Sequence, residues 1–130
     1  MNTVTVCGNI TRDPELRFTN SGKAVAGFGI AVTRKYNDQE QTSFFNVTAW
    51  DTLGENCAAS LHKGTRVVVT GRIEVRQYDA KDGTKQTSVD IVADEVGPSL
   101  RWASVTVAKN ERNTASAGSR SSYSSDEEPF

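Results

Sequence analysis

The sequence predicts a mainly β fold, a five-stranded barrel with one short helix between its third and fourth strands. Apolar and polar residues alternate with a period of two over most of the chain up to Val107, which is typical of half-buried strands. Turn signals rich in glycine, asparagine and proline separate these runs. Only the segment around residues 52–64 has helical spacing. The chain of 130 residues is long enough for one domain that buries its own core.

The alternating runs define the strands. Ala24–Thr33 has one large apolar face and one face of small residues that includes Gly27 and Gly29. Glycines within a strand indicate a bend, a bulge or the close approach of another backbone or a ligand. A polar loop follows over Lys35–Thr42, and Asp82-Gly83 is a hairpin signal. In chain order, the predicted strands are Thr3–Cys7 with its continuation Glu15–Thr19, then Ala24–Thr33, Ser43–Trp50, Thr65–Tyr78 and Thr84–Val96, with a last extended stretch over Leu100–Val107.

The helix is predicted from its start and its apolar stripe. Thr52-Leu53-Gly54-Glu55 matches a capping box, in which the Thr and Glu side chains satisfy exposed backbone N–H groups. Leu53, Cys57 and Leu61 follow at a spacing of four, and Gly64 suits a left-handed end. Three strands, a short helix and two strands is the order of an OB-fold barrel. A β-sandwich, which also contains arrays of hairpins, stays an alternative on this pattern alone.

Composition excludes several classes of protein. No run of about 18 apolar residues exists, so no membrane span is expected. The first residues lack the basic and apolar regions of a signal peptide, which favours a cytoplasmic location. Two cysteines and one histidine provide neither a disulfide framework nor a zinc site, so no metal or cofactor is expected. His62 has no nucleophile near it in sequence and there is no phosphate-binding loop, so we expect no enzyme activity.

The composition changes near Val107. Six of the last 18 residues are serine, and such a segment buries too little apolar surface to offset its ordering entropy. We therefore predict a folded domain over residues 1–108, a flexible linker over 109–125 and a distinct acidic tip over 126–130. Residues 1–112 hold 14 Lys and Arg against 13 Asp and Glu, so a nucleic-acid interface would need its cations concentrated on one face.

Aromatic and basic residues coincide at several places. In Ser43–Trp50, Phe44 and Trp50 share a face with polar residues, because six residues are an even number of pleats. Tyr78 shares a face with Arg72 and Arg76, and Tyr36 follows Arg34 and Lys35. Rings that stack on unpaired bases, beside cations that contact phosphates, are what single-stranded nucleic acid requires. The alternative is a structural role, which we favour for Phe28 and Phe45 as core residues; Tyr36 could be a loop anchor, and for Phe44 and Trp50 both interpretations stay open.

Several motifs resemble bacterial single-stranded DNA-binding proteins. Their opening motif is similar to Val6-Cys7-Gly8-Asn9-Ile10-Thr11-Arg12-Asp13-Pro14-Glu15-Leu16-Arg17-Phe18 of this chain, and the segment that follows it is similar to Gly22-Lys23-Ala24-Val25-Ala26. The later glycine-containing motifs of the family resemble Leu61-His62-Lys63-Gly64 and Val69-Thr70-Gly71-Arg72-Ile73. Val92–Ala103 resembles the actinobacterial branch, which carries an extra C-terminal strand. Asp126-Glu127-Glu128-Pro129-Phe130 is similar to the acidic Pro-Phe tip of the family.

The resemblance implies an OB-fold protomer of a homotetramer that binds and protects single-stranded DNA, independently of sequence, in replication, recombination and repair. It also implies that the tip recruits partner enzymes and that the protein is cytoplasmic and nucleoid-associated. The alternative is an OB-fold module that binds RNA or a protein. By position, the resemblance assigns stacking to Tyr36, Phe44, Trp50 and Tyr78, and basic contacts to Arg17, Lys63 and Arg76; Arg34, Lys35 and Arg72 are added from the alternation and loop pattern. At two positions where the family is basic, this chain has Asn46 and Glu74.

Overall fold

The computed structural model describes residues 1–110, which form six strands and one helix. The predicted tip and all of the predicted linker except its first two residues lie outside the described residues. The elements are β1 (Val4–Ile10), β2 (Glu15–Phe18), β3 (Ala24–Tyr36), β4 (Gln39–Trp50), α1 (Asp51–Ser60), β5 (Arg66–Asp79) and β6 (Lys85–Pro98).

The sheet closes into a barrel in the order β1-β5-β6-β4-β3-β1. β1 is antiparallel to β5 along most of its length, and its last residues, Asn9 and Ile10, pair with β3. β4 and β6 are the single parallel pair of the described sheet, and the other pairs are antiparallel. This is the five-stranded OB-fold barrel with the helix between the third and fourth barrel strands, so the predicted fold class is confirmed.

The core follows from the alternation of side chains along each strand. Phe28, Ile30, Val47 and Ile91 are completely buried inside the barrel. Phe28 therefore has the predicted core position, and Phe45 is partly buried against the same cluster. Within the described residues, every buried side-chain nitrogen or oxygen has a hydrogen-bond partner.

The extra strand lies elsewhere in the chain than predicted. It is β2, which pairs with β3 at the edge of the barrel, whereas Leu100–Val107 forms no strand. The chain leaves the sheet after Ser99, whose N–H donates to the carbonyl of Arg66 at 2.8 Å. A strand requires a neighbouring edge to satisfy its N–H and C=O groups, and within the described residues this segment pairs with no edge of the sheet. The ring of Trp102 instead lies 4.6 Å from the guanidinium of Arg66.

The start of the helix also differs from the prediction. α1 begins at Asp51 and its N-cap residue is Trp50, which makes no side-chain capping bond, so the predicted capping box at Thr52 is wrong. Gly64 does have a positive φ of 93°, but it lies in a turn beyond the helix, which ends at Ser60.

Two hairpins extend beyond the barrel as exposed arms. The predicted loop over Lys35–Thr42 is mostly paired strand, because β3 and β4 are joined by only Asn37 and Asp38. Both residues have positive φ, 48° and 62°, which is the backbone of a tight hairpin turn whose twist matches the strands. The second arm joins β5 to β6 near Gly83, where the hairpin was predicted.

Candidate nucleic-acid interface

The outer surface of the sheet is continuous across β2, β3, β4, β6 and β5. Because paired residues point to the same side of a sheet, the strand registers show which residues share this surface. One row runs Gly27, Thr48, Val92, Arg72, and the next row runs Gly29, Asn46, Asp90, Glu74. We call this surface the outer face, and it brings together residues that lie far apart in the chain.

Phe44 and Trp50 stand on the outer face. Phe44 is 69% exposed and Trp50 is 41% exposed, whereas Val47 and Ala49, which alternate with them, are buried. The predicted division of this strand into a polar-aromatic face and a core face is therefore confirmed. Six residues of strand separate the two rings by about 20 Å.

Small residues leave the aromatic rings uncovered. The positions of β3 that flank the outer side of β4 include Gly27, Gly29 and Ala31, the last of which lies directly opposite Phe44. A methyl group added at Gly27 would meet only the carbonyl of Val47, at 4.0 Å. The outer face is therefore open at Gly27, beside Thr48, where a flat ligand could lie, whereas side chains of the β1–β2 connection cover Gly29.

Arg17 reaches the same face from β2. It pairs with Val25, which in turn pairs with Trp50, so the three residues form one row. Adjacent strands are spaced by about 4.8 Å, which places Arg17 and Trp50 about 10 Å apart. A cation and an exposed indole thus lie within the reach of one nucleotide.

β5 contributes the far side of the outer face. Arg72 pairs with Val92 and Arg76 pairs with Ser88, and these residues share one side of the strand with Tyr78. Tyr78 is 48% exposed and lies on the hairpin arm. The structure therefore brings Arg17, Phe44, Trp50, Arg72, Arg76 and Tyr78 onto one surface.

Three of the predicted cations are paired with carboxylates. The closest approach is 3.6 Å between Lys35 Nζ and Glu40 Oε1, and 3.2 Å between Arg72 Nε and Glu74 Oε2. Arg76 Nε lies 2.9 Å from Asp90 Oδ2. The surface is thus less positive than its cations alone would suggest, and a phosphate would compete with these acids.

Asp90 is the least exposed of these acids, and sequence reasoning missed it. Its carboxylate accepts hydrogen bonds from Ser88 Oγ at 2.7 Å, Arg76 Nε at 2.9 Å and Asn46 Nδ2 at 3.2 Å. Burial alone would raise its pKa, but the hydrogen bonds from Ser88, Arg76 and Asn46 and the charge of Arg76 together lower it. Asp90 therefore stays ionised and holds Arg76 and Asn46 in place. An acid between Val89 and Ile91 in an alternating strand is the signal that could have revealed it.

Other predicted residues lie apart from the outer face. Arg34 and Tyr36 lie an even number of residues from the buried Phe28 along β3, so their side chains point to the side of the β3–β4 hairpin opposite the outer face. The guanidinium of Arg34 lies 5.9 Å from the centre of the Tyr36 ring. Lys63 lies in the turn after α1, where its backbone N–H donates to Asp13 Oδ1 at 2.7 Å. Lys35 shares the alternation of the outer face but lies on the exposed arm, beside Glu40.

Comparison with known proteins gives the family. The model of the single-strand binding protein family matches residues 1–99. The chain belongs to this family. It is 48% identical to the single-stranded DNA-binding protein of Paenarthrobacter aurescens in an alignment of 118 residues that covers 85% of this chain and 69% of the relative. Identity is 44% to the protein of that name from Mycolicibacterium smegmatis, with 85% of this chain and 72% of the relative covered.

The family match coincides with the barrel. It ends at residue 99, one residue after β6 ends at Pro98, so all the predicted DNA-contact residues lie within it. Helix α1, the single helix of the described residues, has 10 residues and is too short to cross a membrane.

Proposed function

We propose that this member of the single-strand binding protein family binds single-stranded DNA independently of its sequence. The observation that carries the proposal is the pair of exposed rings, Phe44 and Trp50, on an outer face where the β3 residues between them are the small Gly27, Gly29 and Ala31. Membership of the family and the names of its actinobacterial relatives support the same activity.

The chemistry of the outer face favours single strands over duplexes. A base can stack on Phe44 or Trp50 only when it is not already stacked within a duplex, and every base has a π-face, so stacking tolerates any sequence. Arg17 and Arg76 lie on the same surface and supply charge for the phosphates. The residues proposed to contact DNA from their positions in the sequence are Arg17, Arg34, Lys35, Tyr36, Phe44, Trp50, Lys63, Arg72, Arg76 and Tyr78.

We further propose the wider role that the family suggests. The protein coats and protects single-stranded DNA in replication, recombination and repair, acts as a homotetramer in the cytoplasm at the nucleoid, and works by binding rather than by catalysis. Residues 109–125 act as a linker to the tip over 126–130, which docks partner proteins through acidic and apolar contacts.

A titration tests the proposal. The full chain is titrated with dT, rU and duplex oligonucleotides of equal length while tryptophan fluorescence is recorded over a series of salt concentrations. We expect dT to bind most tightly, with log K falling with log salt at a slope of about −0.7 per phosphate neutralised. Tighter binding of rU would support the RNA-module alternative instead. Duplex DNA that binds as tightly as dT would refute the proposed function.

A further inference from the structure

Arg12 lies on the outer face, although the sequence places it in the connection between β1 and β2. A side chain built on Gly29 would have its Cβ 2.9 Å from Arg12 Nη1 and 2.6 Å from Thr11 Oγ1. The guanidinium thus occupies the space that the absent side chain of Gly29 leaves free. The Thr11 N–H donates to the Gly29 carbonyl at 2.9 Å, which holds the start of this connection on the strand.

The register places this guanidinium between the two exposed rings. Gly29 pairs with Asn46, which lies two residues from Phe44 and four from Trp50 along β4. These separations correspond to about 7 Å and about 13 Å of strand. A DNA strand whose bases stacked on both rings would therefore carry its backbone past Arg12.

The guanidinium of Arg12 also differs from the cations of β5. Arg72 and Arg76 are each bonded to a carboxylate, at 3.2 and 2.9 Å. Arg12 is exposed, and within residues 1–110 no ion pair or hydrogen bond of its guanidinium is found. A phosphate could engage Arg12 without displacing one of those acids, and a guanidinium can bind phosphate through two parallel N–H bonds.

We propose that Arg12 is a phosphate-binding residue for single-stranded DNA between the Phe44 and Trp50 stacking positions, and that Gly29 is required to seat it. The proposal rests on the proposed function and adds a residue that neither the motif nor the alternation assigned. It also explains why β3 has a glycine at position 29, because any side chain there would displace the guanidinium.

The test compares Arg12→Gln with Arg101→Gln in the full chain. Both variants lose one positive charge, but Arg101 lies after the last strand, beside Trp102. Binding of labelled dT is followed by fluorescence anisotropy at several salt concentrations. Arg12→Gln is expected to weaken binding on the order of fivefold to tenfold at low salt and to reduce the salt slope by about 0.7, the share of one phosphate. Arg101→Gln is expected to leave the slope unchanged.

A glycine pair tests the seating without changing charge. Gly29→Ala places a methyl group against Thr11 Oγ1 and Arg12 Nη1 and is expected to lower the slope as Arg12→Gln does. Gly97→Ala, near the end of β6 opposite Val68, meets no atom within 4 Å and should retain the slope. Adding Arg12→Gln to Gly29→Ala should then cause little further loss, since both changes remove one contact. Thermal unfolding of each variant shows that it is folded.

The outcomes separate this inference from the proposed function. If the unaltered chain binds dT and Arg12→Gln keeps both its affinity and its salt slope, the role of Arg12 is refuted while the proposed function stands. If the unaltered chain does not bind dT, both are refuted. Equal slopes for Gly29→Ala and Gly97→Ala would overturn the seating role of Gly29.

Discussion

Trp50 and Phe45 lie on opposite faces of β4, so replacing each by alanine should separate binding from stability. Trp50 is 41% exposed on the outer face, whereas Phe45 packs against the core cluster. In proteins that bind single strands, replacing an aromatic residue on which one base stacks by alanine costs about 1–3 kcal/mol of binding free energy. Since about 1.4 kcal/mol is tenfold in affinity, Trp50→Ala should weaken dT binding by about 5-fold to 140-fold.

Phe45→Ala should have the opposite profile. Removing a phenyl ring from a core costs about 3–5 kcal/mol, and Phe45 is only partly buried, so we expect a loss of about 2–3 kcal/mol of unfolding free energy. For a domain of this size such a loss lowers the Tm by about 10 °C or more. Affinity for dT, measured well below that Tm, should change by less than about threefold.

The assay uses two readouts and a tryptophan control. Anisotropy of labelled dT gives the Kd of each variant, and quenching of intrinsic fluorescence shows which indole meets the DNA. Quenching should disappear in Trp50→Ala and persist in Trp102→Ala, because Trp102 lies beyond the last strand against Arg66. Equal effects of Trp50→Ala and Phe45→Ala on the Kd would refute the assignment of faces, as would quenching that depends on Trp102.

Further predictions concern charge and burial. Glu74→Gln should release Arg72 from its ion pair and strengthen dT binding by about twofold to fivefold at low salt. The gain should fade at high salt, because salt screens the interaction between exposed charges. Asp90→Asn should lower the free energy of unfolding at neutral pH by about 1–3 kcal/mol, measured by chemical denaturation. The decrease in this free energy toward acid pH, the acid limb of the pH profile, should become smaller. This direction follows from the lowered pKa of Asp90 in the folded protein. The stabilisation by its carboxylate is complete above the pKa range of an ordinary Asp and is lost as the pH falls through the pKa of folded Asp90. Deleting residues 126–130 should leave dT affinity equal or slightly higher at low salt and abolish capture of partner proteins. Burial raises the pKa of the Cys57 thiol to about 11, so it should resist thiol reagents at pH 8 until the protein unfolds.

Each of these predictions has a matched control. Glu55→Gln on α1 removes the same charge away from the outer face and should leave the Kd unchanged; an equal gain would mean that net charge alone acts. An acid limb that is identical in Asp90→Asn would contradict the assigned role of Asp90. Partner capture by the truncated chain would contradict docking through the tip. The half-buried Cys7 serves as the reactive reference, and labelling of Cys57 at the same rate would contradict its burial.

Local patterns determined much of this protein from its sequence. The period of two fixes which residues of a strand face the core, because successive side chains point to opposite sides of any sheet. That rule put Phe44 and Trp50 on one polar face of their strand, but only the barrel decided that both rings are exposed. The order of strands and helix predicted the OB fold, with a β-sandwich as the alternative that the closed barrel excludes, and Asp82-Gly83 predicted its hairpin.

Only the tertiary structure decided which distant residues meet. Leu100–Val107 alternates like a strand but forms none, because a strand exists only where another edge satisfies its backbone groups. The bond between Arg76 and Asp90 depends on the pairing of β5 with β6 and on the position of Asn46 in the parallel neighbour. The position of Arg12 over Gly29 depends on the path of the connection between two strands. Periodicity describes one strand at a time, whereas these contacts depend on registers between strands, which only the closed barrel determines.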